Sequence, residues 1–265
     1  MTSVAVLLPL SLGVAVAVFV VAWVVGRALG RYNVVDVAWG LAFVAITATA
    51  FAWARTAGGV TTARQWLVLG LVAMWGLRLS AYIGVRGRGH GEDPRYERML
   101  ARATGRRDVY ALTRVFLLQA VIAWFVSLPV QVAMLERSAL GPLAVAGVVL
   151  WAVGFFFEAV GDAQLAAFKR DPANRGLVMD RGLWRYTRHP NYFGEACLWV
   201  GLYLVAAQQW AGAVTILSPV TMTYFVASKT GKPMLERMLL DSKPGYADYV
   251  ARTSGFVPRR PRPRR

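Results

Sequence analysis

The run Gly182-Leu183-Trp184-Arg185-Tyr186-Thr187-Arg188-His189-Pro190-Asn191-Tyr192-Phe193-Gly194-Glu195 sets two arginines, a histidine, an asparagine and a glutamate at the mouth of a long apolar segment. Whether that segment lies in water or in lipid decides the fold. A charge carried into a bilayer is costly, so an ionisable residue there implies a task. Arginines and tyrosines at a helix end can also be plain interfacial anchors. Anchoring alone does not require Asn191 and Glu195 one helical turn apart, on one face.

The rest of the chain argues for lipid. Of 265 residues, 57% are hydrophobic and 17% charged, and the mean hydropathy of +0.44 is too high for an ordinary soluble domain. Seven runs approach or exceed the roughly 20 residues that cross a bilayer. They lie at about 5–26, 34–54, 66–85, 112–134, 141–166, 191–208 and 211–228. The first lacks a basic leader and a clear cleavage site, so it is read as a retained span. Pro129 and Pro219 fall inside spans and are expected to kink them. No repeat or long linker is visible. The expected fold is an all-α integral membrane protein, one seven-transmembrane-helix bundle over 1–265, with a disordered basic tail at 258–265.

A net charge of +16 raises the question of nucleic acid, but the charges are distributed otherwise. Arg27 and Arg31 follow the first span, eight arginines run from Arg86 to Arg114, six basic residues from Lys169 to Arg188, and ten from Lys229 to Arg265. The alternate connections hold only Arg55, Arg64 and Arg137. This is the positive-inside asymmetry. It puts the N-terminus outside and the C-terminus in the cytoplasm, which requires an odd number of spans. The basic face should attract anionic lipid headgroups, and no nucleic-acid partner is expected. Cys197 is the lone cysteine, which excludes an internal disulfide, and with two histidines there is no Cys/His cluster for zinc.

Ionisable residues at or near membrane depth need partners, because unpaired burial costs several kcal/mol each. They are Asp36, Arg78, Glu158, Asp162 and Glu195. Asp36 opens the second span, either as a carboxylate favoured by the helix dipole or as an acid facing a cavity. Arg78 and Tyr82 share a face of the third span, in a salt bridge or at a cofactor. Glu158 and Asp162, four apart, repel each other unless a cation or donor intervenes or one is protonated. Arg185, Arg188 and Asn191 suit a ligand carrying phosphates or a carboxylate. His189, just before a proline, is presented from an extended corner.

With these residues laid out, the chain resembles the bacterial DUF1295 branch of the steroid 5-alpha-reductase family. The likeness runs through Asn33–Gly40, Trp75–Leu79, Glu92-Asp93-Pro94-Arg95-Tyr96, Phe157–Gln164 and Gly182–Glu195. It implies a membrane reductase that uses NADPH to reduce a C=C bond conjugated to a carbonyl in a lipophilic substrate, while a protein acid polarises the carbonyl oxygen. The enone would enter from the bilayer of a bacterial inner (plasma) membrane and the dinucleotide from the cytoplasm. Asp162, Asn191 and Glu195 match positions at the family's cofactor site. Arg175 and Arg185 fall near its phosphates, and Arg78 matches a family arginine. Glu158, Arg188, His189 and Tyr192 complete the expected cofactor side. Asp36 stands where the steroid enzymes have a catalytic glutamate. Trp75 stands in place of their catalytic tyrosine and cannot act as a phenolic acid. Tyr82 or Tyr32 are the candidate replacements.

A rival enzyme class shares part of the signature. Membrane methyltransferases of the isoprenylcysteine type, which bind S-adenosylmethionine, also carry an Arg-His-Pro-x-Tyr-x-Gly run, here Arg188 to Gly194. They also have a downstream glutamate helix, which Glu236, Met238 and Leu239 resemble. The blocks around Asp36, Arg78, Glu158 and Asp162 lie outside that signature. A transporter or scaffold would spread polar residues along a path, whereas these gather toward the cytoplasmic ends of the expected spans.

Overall fold

The structure, a computed structural model, describes residues 2–56, 61–89, 91–229 and 232–263. Every regular element among them is a helix. The chain divides into two compact units, Met1–Leu140 and Gly141–Arg265.

The first unit contains α1 (Thr2–Leu29), α2 (Val34–Thr56), α3 (Ala63–Arg86), the short surface helices α4 (Pro94–Leu100) and α5 (Arg107–Ala111), then α6 (Leu117–Val126) and α7 (Leu128–Leu135). A π-helical turn, Leu112–Phe116, joins α5 to α6. The capping box of Thr62 and Gln65 starts α3. The expected kink at Pro129 is a one-residue interruption at Ser127, between α6 ending at Val126 and α7 starting at Leu128, with the Ser127 N–H still bonded to Ala123 O and the Gln131 N–H to Ser127 O. Helices α2 and α3 cross at Gly40 and Gly76. A methyl on Gly40 would fall 2.3 Å from the Gly76 carbonyl oxygen, so only glycine lets the backbones meet. Ser80 Oγ donates to Val37 O at 2.8 Å beside the crossing. Between α1 and the α6–α7 interruption, Ser11 Oγ donates to Gln131 Oε1 at 2.6 Å. Gln131 Nε2 reaches Ser127 Oγ at 2.8 Å, and Trp124 Nε1 reaches Ser11 Oγ at 3.1 Å. These groups satisfy one another where water cannot.

The second unit is organised by α8 (Pro142–Arg170) and α9 (Pro190–Ala206). Gly147 and Gly154 on α8 meet Gly201 and Gly194 on α9; a methyl on Gly147 would sit 2.6 Å from Gly201 O. Seven-residue spacing on both helices keeps the contact on one stripe. After α9 come α10 (Trp210–Ala213), α11 (Leu217–Tyr224), a π-helical stretch Phe225–Lys229, α12 (Lys232–Ser242) and α13 (Tyr246–Arg252). Pro219 lies in the first turn of α11, just after the 3-10 turn Val214–Ile216 that separates it from α10.

Six helical stretches are long and apolar enough to cross a membrane among the described residues: Val4–Leu29, Val34–Thr56, Ala63–Arg86, Arg107–Val126, Pro142–Arg170 and Trp210–Ser228. The remaining expected span, 191–208, is the 17-residue α9. At 1.5 Å per residue that helix is about 25 Å long, short of a hydrocarbon core of roughly 30 Å.

The C-terminal segment folds back on the loop before α9. Tyr249 Oη donates to Trp184 O at 2.5 Å, Thr187 Oγ1 to Phe256 O at 2.8 Å and Arg252 to Asp180 at 2.7 Å. The tail, expected to be disordered, continues this: the Arg259 N–H donates to Tyr186 O and the Arg262 N–H to Arg252 O, both at 2.9 Å. Arg264 and Arg265 lie outside the described residues.

Candidate functional site

Each unit carries a polar cluster. In the first, Asp36 sits in the opening turn of α2, where the helix N-terminus favours a carboxylate. Its Oδ1 accepts the Tyr96 hydroxyl at 2.5 Å and its Oδ2 accepts from Arg95 at 3.1 Å. Both partners come from α4, which Asp93 caps by accepting the Arg95 N–H at 2.8 Å, with Pro94 in the first turn. Arg95 also bonds the Asp93 carboxylate at 3.0 Å. Glu92, just before, accepts the backbone N–H groups of Tyr32 and Asn33 at 2.5 and 2.9 Å, tying this loop to the start of α2.

Tyr96 is buried, and its hydroxyl also meets the Gln119 side chain. Burial and the adjacent Asp36 carboxylate hold the phenol well above its usual range, so it keeps its proton. Burial alone would lower Arg95, but hydrogen bonding to Asp93 and the charge of Asp36 raise it above its ordinary value.

The two tyrosines picked out from the sequence lie in other settings. Tyr32 is buried edge-on against Phe116, with ring centroids 6.0 Å apart, and burial raises its hydroxyl. Tyr82 is half-buried beneath the Arg86 guanidinium, 5.5 Å from the ring centroid. Arg78, half-buried, lies one turn earlier on α3. Trp75 is fully buried, edge-on to Phe43 at 5.4 Å. The phenol on Asp36 is that of Tyr96, which stands in the Glu92–Tyr96 motif and is not among the candidate proton donors named from the sequence. The signal was the adjacency of an aromatic hydroxyl to Arg95, a cation able to pair with Asp36.

In the second unit, Asp162 of α8 and Asn191 of α9 come together, with Asn191 Nδ2 3.4 Å from Asp162 Oδ1. Asp162, Glu158 and Glu195 are all buried. Glu195 Oε1 accepts from Trp199 Nε1 at 3.1 Å, one turn along α9. The approach that gathers these residues is set by glycine: a methyl on Gly194 would lie 2.7 Å from the Glu158 nitrogen. Arg175 and Arg185 are exposed.

Arg188 and His189 are buried and converge on one atom, Glu236 Oε1 of α12, at 2.8 and 2.9 Å. Arg188 Nη1 also donates to the Thr253 and Val250 carbonyls. Tyr192 stacks on the His189 ring at 5.2 Å, with planes 8° apart. Burial would raise the Glu236 carboxyl, but hydrogen bonds from His189 and Arg188 outweigh it and bring it down to about 2. In the sequence Glu236 was visible only through its place in the methyltransferase signature.

Helices of this length and hydropathy, with ionisable residues buried between them, define the chain as an all-helical protein of membrane type. It belongs to the DUF1295 family, described as a protein of unknown function, whose model matches residues 22–253. Among curated proteins the chain has no match.

Proposed function

We propose that this protein is an NADPH-dependent membrane reductase that reduces a C=C bond conjugated to a carbonyl in a steroid-like or other lipid substrate. The observation that carries the reading is the Tyr96 hydroxyl held on Asp36. The resemblance to steroid 5-alpha-reductases calls for a protein acid that polarises the substrate carbonyl, and Trp75 cannot be one. Tyr96 can: its single phenol proton, donated to Asp36 in the resting protein, turns to the substrate oxygen and there stabilises the negative charge growing on the enolate. Asp36 orients that hydroxyl and can accept or return its proton, while Arg95 fixes the carboxylate.

The residues of the second unit suit the nucleotide. Asn191 and Asp162 offer an amide donor and a carboxylate acceptor for sugar hydroxyls or a carboxamide, with Glu158 and Glu195 buried nearby in sequence. Arg175, Arg185, Arg188 and His189 suit phosphates, and Tyr192 offers a flat aromatic face. Arg78 keeps its place as a family arginine. When bound, NADPH supplies the hydride; the chain supplies position and field.

This reading takes α9 as a seventh span, with the N-terminus outside and the basic loops at the cytoplasmic face of a bacterial inner membrane, against anionic headgroups. The Arg188–Glu236 contact favours a second reading, since it joins the two parts of the S-adenosylmethionine methyltransferase signature. Titration of detergent-purified protein with NADPH and S-adenosylmethionine side by side separates the two. Saturable NADPH binding, weakened by Asn191→Ala and Asp162→Ala more than by Asp36→Ala, supports the reductase. Saturable S-adenosylmethionine binding with no NADPH response reverses the ranking. A membrane lipid extract, screened for compounds that gain two hydrogens, identifies the substrate.

A further inference from the structure

We infer that Arg188 and His189 form an anion site that Glu236 fills from within the chain, and that a phosphate group of an incoming ligand takes its place. The inference rests on the nucleotide reading only for the source of that phosphate.

Three features carry it. First, Arg188 Nε and His189 Nε2 meet on a single carboxylate oxygen, at 2.8 and 2.9 Å, and both residues are buried. Two donors aimed at one point form a cradle for an oxyanion and bind a phosphate oxygen as readily as a carboxylate oxygen.

Second, the cradle has its own support. Arg188 Nη1 is bonded to the carbonyls of Val250 and Thr253, its backbone N–H donates to Ser254 O, and Thr187 Oγ1 accepts the His189 N–H at 3.3 Å. None of these bonds involves α12, so Arg188 keeps its aim when Glu236 leaves, and the stacked Tyr192 ring holds the imidazole of His189. Preorganised donors lose little in exchanging one anion for another.

Third, Glu236 can leave. Its side chain is 16% exposed, on a helix whose neighbours Leu235, Arg237 and Leu240 face outward. At the far end of α12 the chain turns at Gly245, whose φ of +79° suits glycine and lets α12 and α13 meet at a tight corner. Rotation of Glu236 to the surface exposes its carboxylate to water, which restores the solvation lost in the cradle. Until then the carboxylate competes with any ligand for the same two donors, and apparent affinity is reduced accordingly.

The test uses full-length protein in detergent and two probes, inorganic pyrophosphate and NADPH, by isothermal titration. Glu236→Gln keeps size and shape but replaces a charged acceptor by a neutral one, and pyrophosphate affinity should rise about tenfold. Asp241→Asn, which removes an exposed charge from the same helix, should leave it unchanged. A Glu236→Gln affinity equal to or below that of the unsubstituted protein means that Glu236 supports the site, and overturns the inference. So does an equal gain in Asp241→Asn, or the absence of pyrophosphate binding in every form. Should Glu236→Gln not fold, hydrogen exchange in the unsubstituted protein decides: saturating pyrophosphate should speed exchange across 235–243, and unchanged exchange overturns the inference. Tighter pyrophosphate binding without any NADPH response upholds the masked site and removes the reductase reading. NADPH binding with no change in Glu236→Gln does the reverse.

Discussion

Tyr96 and Asp36 share one hydrogen bond but not one environment: the tyrosine is 8% exposed, whereas the Asp36 side chain is 26% exposed and also touches Arg95. The proton sits on Tyr96, and Arg95 balances the charge of Asp36. Tyr96→Phe keeps the ring and removes only the donor. In single-turnover oxidation of NADPH by an enone, the rate should fall about 10²- to 10⁴-fold. NADPH affinity should stay unchanged. A wild-type rate in Tyr96→Phe would show that another group polarises the carbonyl.

The close approach of α8 and α9 makes a second prediction. A methyl on Gly154 would lie 2.5 Å from Gly194 O, whereas Gly13 of α1 has no atom within 4 Å of the same position. Gly154→Ala should destabilise the protein by about 1–3 kcal/mol or more, through forced separation of two backbones. Gly13→Ala should be neutral or slightly stabilising, since alanine favours helix. Thermal melts in one detergent compare them directly.

Much of this architecture was legible beforehand, and what escaped has a physical reason. Apolar length located the long helices, because lipid imposes a length that any chain must meet. The α8–α9 seam was equally present, as glycines at 147, 154, 194 and 201, but its meaning requires knowing that the two helices are neighbours. The same holds for the sites. Asp162, Asn191 and Glu195 are expected at one site; the first two meet at 3.4 Å, and Glu195 Oε1 accepts from Trp199 Nε1. Tyr96 was passed over for Tyr82 and Tyr32, because its pairing with Asp36 spans 60 residues and depends on how Asp93 caps α4. Helical spacing reports contacts within a helix, whereas these contacts join one helix to another.

Arg64 anchors the far end of the first unit. Its side chain is fully buried, 3.2 Å from Glu136, and it bonds Ser138 Oγ and the Ala139 carbonyl at 3.1 Å. Burial raises the Glu136 carboxyl and Arg64 opposes that rise. Arg64→Ala should cost about 3–5 kcal/mol by stranding a buried acid. The double variant Arg64→Met, Glu136→Leu should recover much of the loss. Urea unfolding of the two variants and the unsubstituted protein measures both effects.

Acid should act through Glu236. Its carboxyl lies at about 2 in the folded protein, below an ordinary value of 4.5. A depressed carboxyl contributes stability above the unfolded value, and that contribution disappears as pH falls from about 4.5 toward 2. Melting temperatures between pH 7 and pH 3 should therefore decline more steeply in the unsubstituted protein than in Glu236→Gln. The difference should correspond to about 2 kcal/mol after allowance for partial exposure. Parallel curves would place the acid sensitivity elsewhere.

The bonds from Tyr249, Phe256 and Arg259 back to Trp184, Thr187 and Tyr186 bear on how the protein is made. A ribosome delivers residues 171–189 well before their partners at 246–259 emerge, so that corner stays half-built until synthesis is nearly over. A nascent chain halted after α11 would already hold its long helices, yet lack the carbonyls that fix Arg188. Completion of the polypeptide, rather than insertion into lipid, is the step that finishes this corner.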